Sequence, residues 1–204
     1  MYDLLKVTML GLFFGTFGTT LGGIIGVRFQ NPSNKILSFI LSLAGGLMTS
    51  ILSFDLIPEA LKIASITNVI LGIALGIFCM IVCNYLVDKK FTENSQMLRS
   101  IKEENKKDLL RAGIVTSIGL AIHNFPEGLA IGSGFGASLT LGYSLAIAIC
   151  IHDIPEGISM AVPMKNGGMK TSKVLYYVII SGVTTGIGAL IGKIIGGISQ
   201  DVIA

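Results

Sequence analysis

His123-Asn124-Phe125-Pro126-Glu127-Gly128 and His152-Asp153-Ile154-Pro155-Glu156-Gly157 are two copies of one phrase, His-x-x-Pro-Glu-Gly, and between them they hold both histidines of this 204-residue chain. Each copy lies within an apolar run long enough to cross a bilayer. An ionisable side chain at bilayer depth costs roughly 2.5 kcal/mol or more even on lenient insertion scales, so such groups face a polar interior and mark function. Imidazole beside carboxylate, twice over, points to a metal site inside a membrane.

Composition agrees with a membrane setting: 51% of residues are hydrophobic and 13% charged, against about 25% charged in a soluble domain. Mean hydropathy is +0.77. Windows of about 19 residues predict spans at 4–27, 36–61, 66–87, 109–133, 139–163 and 174–197. The expected fold class is therefore all-α, a polytopic membrane helix bundle of six spans forming one transmembrane domain over 1–204, with a loop at about 88–108. The first span lacks a small-residue cleavage site and is too long for a signal h-region, so it is expected to remain in the mature protein. Cys79, Cys83 and Cys150 fall in apolar spans without a CxxC pair and read as small buried hydrophobes.

The 15 Lys and Arg residues orient the bundle. With the N-terminus outside, twelve fall on inner connections: Arg28 and Lys35, then Lys89, Lys90, Arg99, Lys102, Lys106, Lys107 and Arg111, then Lys165, Lys170 and Lys173. The positive-inside bias thus predicts an external N-terminus and a cytoplasmic 88–108 loop. The net charge of +3 calls for no nucleic-acid partner. Glycines at four-residue spacing, such as Gly18, Gly22 and Gly26, Gly72 and Gly76, Gly128 and Gly132, and Gly188, Gly192 and Gly196, predict close helix packing in lipid.

Within each motif His and Glu stand at i and i+4, on one helix face, so His123 should converge with Glu127 and His152 with Glu156. Asn124 and Asp153 widen the polar face. A short turn near 134–139 makes the two helices antiparallel neighbours whose faces meet mid-bilayer. Pro126 and Pro155 each lack an amide hydrogen and clash with the carbonyl four residues back, which predicts broken helices with the Ile122 and Ile151 carbonyls freed to line a cavity. Gly128 and Gly157 leave room for a neighbour or an ion. Imidazole and carboxylate ligands suit Zn²⁺, Fe²⁺ or Mn²⁺ and do not suit an alkali ion. A weaker echo, Asp55-Leu56-Ile57-Pro58-Glu59, sits near the outer end of the second span. Asp55 and Glu59 read either as a mouth where metal enters or as solvated helix-end charges.

On these motifs the chain resembles the ZIP (Zrt/Irt-like) divalent metal transporters, of the bacterial type. The resemblance implies a midplane site in which His123, Glu127 and Glu156 form one subsite, while Asn124 and Asp153 form a second that shares the two glutamates. His152 would be an accessory ligand or proton acceptor, and Met48 an extra ligand from the second span. It also implies eight helices, so a chain ending at Ala204 reads as truncated after the sixth, with a homodimer or a second chain supplying the rest. The expected activity is movement of a divalent cation, zinc above all and otherwise Fe, Mn or Cd, through the cytoplasmic membrane toward the cytoplasm. Metal and lipid would be its partners, with no cofactor beyond the carried ion. The alternatives are a non-transporting metal-binding or assembly subunit and, remotely, an intramembrane metallohydrolase. The last needs His-Glu-x-x-His on an unbroken helix and is opposed by one histidine and one proline per motif.

Overall fold

The computed structural model describes residues 3–29, 33–93 and 101–196, apart from the side chains of scattered positions between 34 and 108. Among these residues the fold is all-helical, the backbone solution that satisfies its own hydrogen bonds in lipid. The elements are α1 (Leu4–Gly26), α2 (Asn34–Ile51), a π-helical segment (Leu52–Leu56), α3 (Ile57–Ile63), α4 (Ile66–Glu93), α5 (Ile101–Ala137), α6 (Leu139–Asn166) and α7 (Thr171–Gly196). By length and composition Leu4–Gly26, Leu109–Ala137, Leu139–Asn166 and Thr171–Gly196 can each cross a bilayer. At 1.5 Å per residue even the 23 residues of α1 span roughly 35 Å, more than the ~30 Å hydrocarbon layer.

These four helices form the body of the molecule. Going round the bundle, α1 packs on α7, α7 on α5, α5 on α6 and α6 back on α1, while α2 lies against α6 from outside. Two tight connections enforce the antiparallel order. Only Ser138 separates α5 from α6; it is extended (φ −156°, ψ 156°), and its hydroxyl accepts the Leu141 amide at 3.1 Å as an N-cap. Between α6 and α7, Gly168 takes φ +91°, where L side chains are strained. The Met169 amide then donates to Met164 O and the Gly168 amide to Lys165 O, both at 3.0 Å, which closes α6 as a Schellman motif.

The glycine of each repeated motif marks a helix crossing. A Cβ at Gly128 would collide with the backbone of Thr185 and Gly188 on α7, and one at Gly157 with the backbone of Thr19, Gly22 and Gly23 on α1. The space beside these glycines is therefore filled by a neighbouring helix and not by an ion. Gly72 and Gly76 differ: nothing lies within 4 Å of a Cβ at either, and α4 carries its apolar side chains outward, Ile70, Leu75 and Phe78 among them. Cys79 is likewise exposed on α4 rather than buried, because that helix stands off the bundle.

Two further expectations differ from the structure. Helices α5 and α6 run unbroken through Pro126, Pro155 and Pro163. A proline deletes one intrahelical hydrogen bond, and here the turns on either side are held by tight contacts at Gly128 and Gly157, so packing overrides the local break. The irregular backbone lies instead at Leu52–Leu56, just before Pro58, where a widened π turn relieves the clash of the ring with the carbonyl of Phe54. The loop expected at 88–108 is helical at both flanks, α4 reaching Glu93 and α5 beginning at Ile101, since the Lys- and Glu-rich 102–108 stretch consists mostly of good helix formers. Residues 94–100 lie outside the described set.

Gly157→Ala should lower stability by about 1–3 kcal/mol through overpacking of α1 against α6, whereas Gly76→Ala should change it by less than about 0.5 kcal/mol. Thermal unfolding of the purified variants in detergent measures the difference.

Candidate metal centre

Both motifs face the middle of the bundle because α5 and α6 are antiparallel neighbours that enter and leave the same turn at Ser138. Two buried apolar clusters flank the motifs along the helices. Ile131, Phe135, Leu145 and Ile149 lie toward the Ser138 turn, and Met160, Met164, Val174 and Val178 toward the Gly168 turn. Between them His152 is 2% exposed, Asp153 0%, Glu156 6% and Glu127 12%, while His123 is 34% exposed.

Glu127 is the hub of the geometry. Its Oε1 accepts a hydrogen bond from His152 Nε2 at 2.7 Å and lies 3.2 Å from His123 Nε2. His123 Nε2 is also 3.9 Å from Glu156 Oε1, and His152 Nε2 is 3.6 Å from Asp153 Oδ1. His123 thus meets Glu127 one turn away, as its spacing predicts. His152 does not take its own-turn Glu156; it reaches across to the other motif, because the antiparallel packing brings a Glu127 oxygen closer. Two groups of ligand atoms lie within 4.8 Å of one another: His123, Glu127 and Glu156, and Glu127, His152 and Asp153. Glu127 belongs to both.

Asn124 is fully buried and turned toward α7, its Nδ2 donating to Ser181 O at 3.2 Å and to Ser181 Oγ at 3.3 Å. The side chains of Met48, Asp55 and Glu59 lie outside the described residues. A buried hydroxyl set on α7 and α1, Ser181, Thr185 and Thr19, was not singled out by the sequence. Its signal was faint, since Ser and Thr inside helices commonly bond back to their own backbone. Thr19 does so, to Gly15 O at 2.7 Å.

The donor set fits a cation. Buried and without any hydrogen-bond partner are Glu127 Oε2, Glu156 Oε2, both carboxylate oxygens of Asp153, Asn124 Oδ1 and His152 Nδ1. Each such atom costs about 1–3 kcal/mol, and more where it is charged, unless something binds it. Three carboxylates offer up to three negative charges in a space where a divalent ion would satisfy several at once. A tetrahedral Zn²⁺ holds N and O ligands about 3.3 Å apart, and the His123–Glu127 separation of 3.2 Å already matches, while Glu156 Oε1, at 3.9 Å from His123, would have to move inward.

Comparison with known proteins points the same way. Residues 88–204 match the family model described as ZIP Zinc transporter. The chain is 32% identical to the zinc transporter ZupT of Corynebacterium aurimucosum, across 85% of this chain and 69% of that protein. It is 31% identical to ZupT of Enterobacter sp. and 32% to ZupT of Escherichia coli O127:H6, in both cases across 88% of this chain and 70% of the relative.

Because Glu127 is common to both ligand groups, Glu127→Ala should weaken Zn²⁺ binding by roughly 100-fold or more and Asn124→Ala by about 10-fold or less. Zn²⁺ titration of the purified variants decides; equal losses would remove Glu127 from its shared position.

Proposed function

The chain belongs to the ZIP zinc-transporter family, a family of membrane metal transporters rather than enzymes, and from that premise we propose that it carries Zn²⁺ across the cytoplasmic membrane toward the cytoplasm through the α5–α6 centre. The observation that carries this reading is the cluster of five ionisable side chains from two adjacent spans, all but His123 largely buried, with carboxylate oxygens left without donors.

The ion approaches from outside past Asp55 and Glu59, exchanges water for His123, Glu127 and Glu156, and passes toward Asp153, with Asn124 and His152 in supporting positions. Zinc suits the mixture of imidazole and carboxylate ligands; iron, manganese and cadmium share those ligand types and compete. Each apolar cluster seals one side of the centre. Movement therefore requires the Phe135–Leu145 side or the Met160–Val174 side to part while the other stays closed, which rigid-body rocking of α1 and α7 against α5 and α6 would accomplish. The Lys and Arg bias supports an external N-terminus, an orientation in which the Asp55–Glu59 end of the second span lies toward the outside.

Vesicles carrying the protein with its N-terminus outward should accumulate Zn²⁺ saturably from the external side. Glu156→Ala should cut initial uptake by roughly 10-fold or more while leaving the protein folded in the bilayer. Uptake unaffected by that change, with the variant correctly inserted, would put the route elsewhere.

A further inference from the structure

Ser181 on α7 is 1% exposed and carries no metal-binding chemistry of its own, yet it receives both hydrogen bonds from the side-chain amide of Asn124. One of its two acceptors is a main-chain carbonyl, which also accepts the Thr184 hydroxyl at 2.6 Å. A carbonyl oxygen accepts and never donates, so it is the NH₂ end of Asn124 that must point to α7. The oxygen end is then left over, buried and without a donor. Asn124 stands on α5 one residue after His123 and three before Glu127.

We propose that Ser181 is a positioning residue: it fixes the Asn124 amide so that Oδ1 is held free as a neutral, preset ligand for the ion. The proposal rests on the α5–α6 centre being the metal site. The Ser181 carbonyl keeps the NH₂ end toward α7, and the hydroxyl adds the second bond that limits swing of the amide about its last torsion; without the hydroxyl the amide, and with it Oδ1, is held at one point instead of two. Ser181 also ties α7 to the centre, so the ligand on α5 is set by a helix that contributes no ligand to either group.

The test is Zn²⁺ titration calorimetry on the whole chain in nanodiscs, as a double-mutant cycle. Ser181→Ala should weaken Zn²⁺ binding about 3–10-fold, the size of one lost hydrogen bond. Ser181→Thr, which keeps the hydroxyl beside a cavity of about 480 Å³ between α5 and α7, should bind as the unaltered protein does. In an Asn124→Ala background, Ser181→Ala should add nothing. Asn124→Asp, whose carboxylate has no N–H for the Ser181 carbonyl, should bind no tighter despite its added charge. The proposal is overturned if the Ser181→Ala loss persists in full without Asn124, if Ser181→Ala is silent while Asn124→Ala is not, or if Asn124→Asp binds more tightly. Glu127→Ala separates the two failures. If it abolishes binding while the Ser181 cycle is additive, the positioning role alone falls; if it leaves affinity unchanged, the metal centre falls and the proposal with it.

Discussion

Three carboxylates and two imidazoles, all but His123 largely buried, are gathered in the interior of a membrane bundle, and this burial constrains the rest of the structure. Such groups demand partners, and the protein supplies few of its own: Glu127 is shared between both histidines, while both oxygens of Asp153 are left without donors. Holding that arrangement requires the surrounding helices to approach closely and exclude lipid. The closeness comes from Gly128 against α7 and Gly157 against α1, one residue after each motif's glutamate. The same six-residue phrase thus contains the candidate ligands and the close helix contact beside them.

The repeated motif made the centre legible because its spacing is a local, helix-encoded property. His123 and Glu127 meet as i and i+4 residues must, and the two spans face each other because only Ser138 joins them. What sequence could not provide is the choice between neighbours of similar reach. His152 stands one turn from Glu156 but bonds to Glu127, a choice made by the offset of two packed helices. Proline misled for a related reason: its local cost is real, but at positions 126 and 155 tertiary contacts outweigh it, whereas at Pro58 the backbone widens into a π turn. Ser181 was silent in the sequence because a serine in an apolar span has a default partner in its own backbone.

The family relationship and the geometry carry different parts of the account. The ZIP model matches residues 88–204, and similarity to ZupT proteins covers 85–88% of the chain and 69–70% of those relatives; together they establish the transporter family. They do not say which atoms hold the ion. That rests on donor-free oxygens and a ligand spacing that already approaches the zinc geometry. Helix α4 adds a second lesson. Its Gly72–Gly76 pair has the spacing of a packing stripe but meets nothing among the described residues, so small-residue spacing alone marks a capacity for close approach without naming the helix that uses it.

The central claim is that the transported ion rests among His123, Glu127 and Glu156. X-ray absorption at the zinc edge on the Zn²⁺-loaded protein tests it most directly. The account predicts nitrogen and oxygen ligands at about 2.0–2.2 Å, with imidazole multiple scattering that His123→Ala diminishes. An imidazole signal untouched by His123→Ala would contradict it.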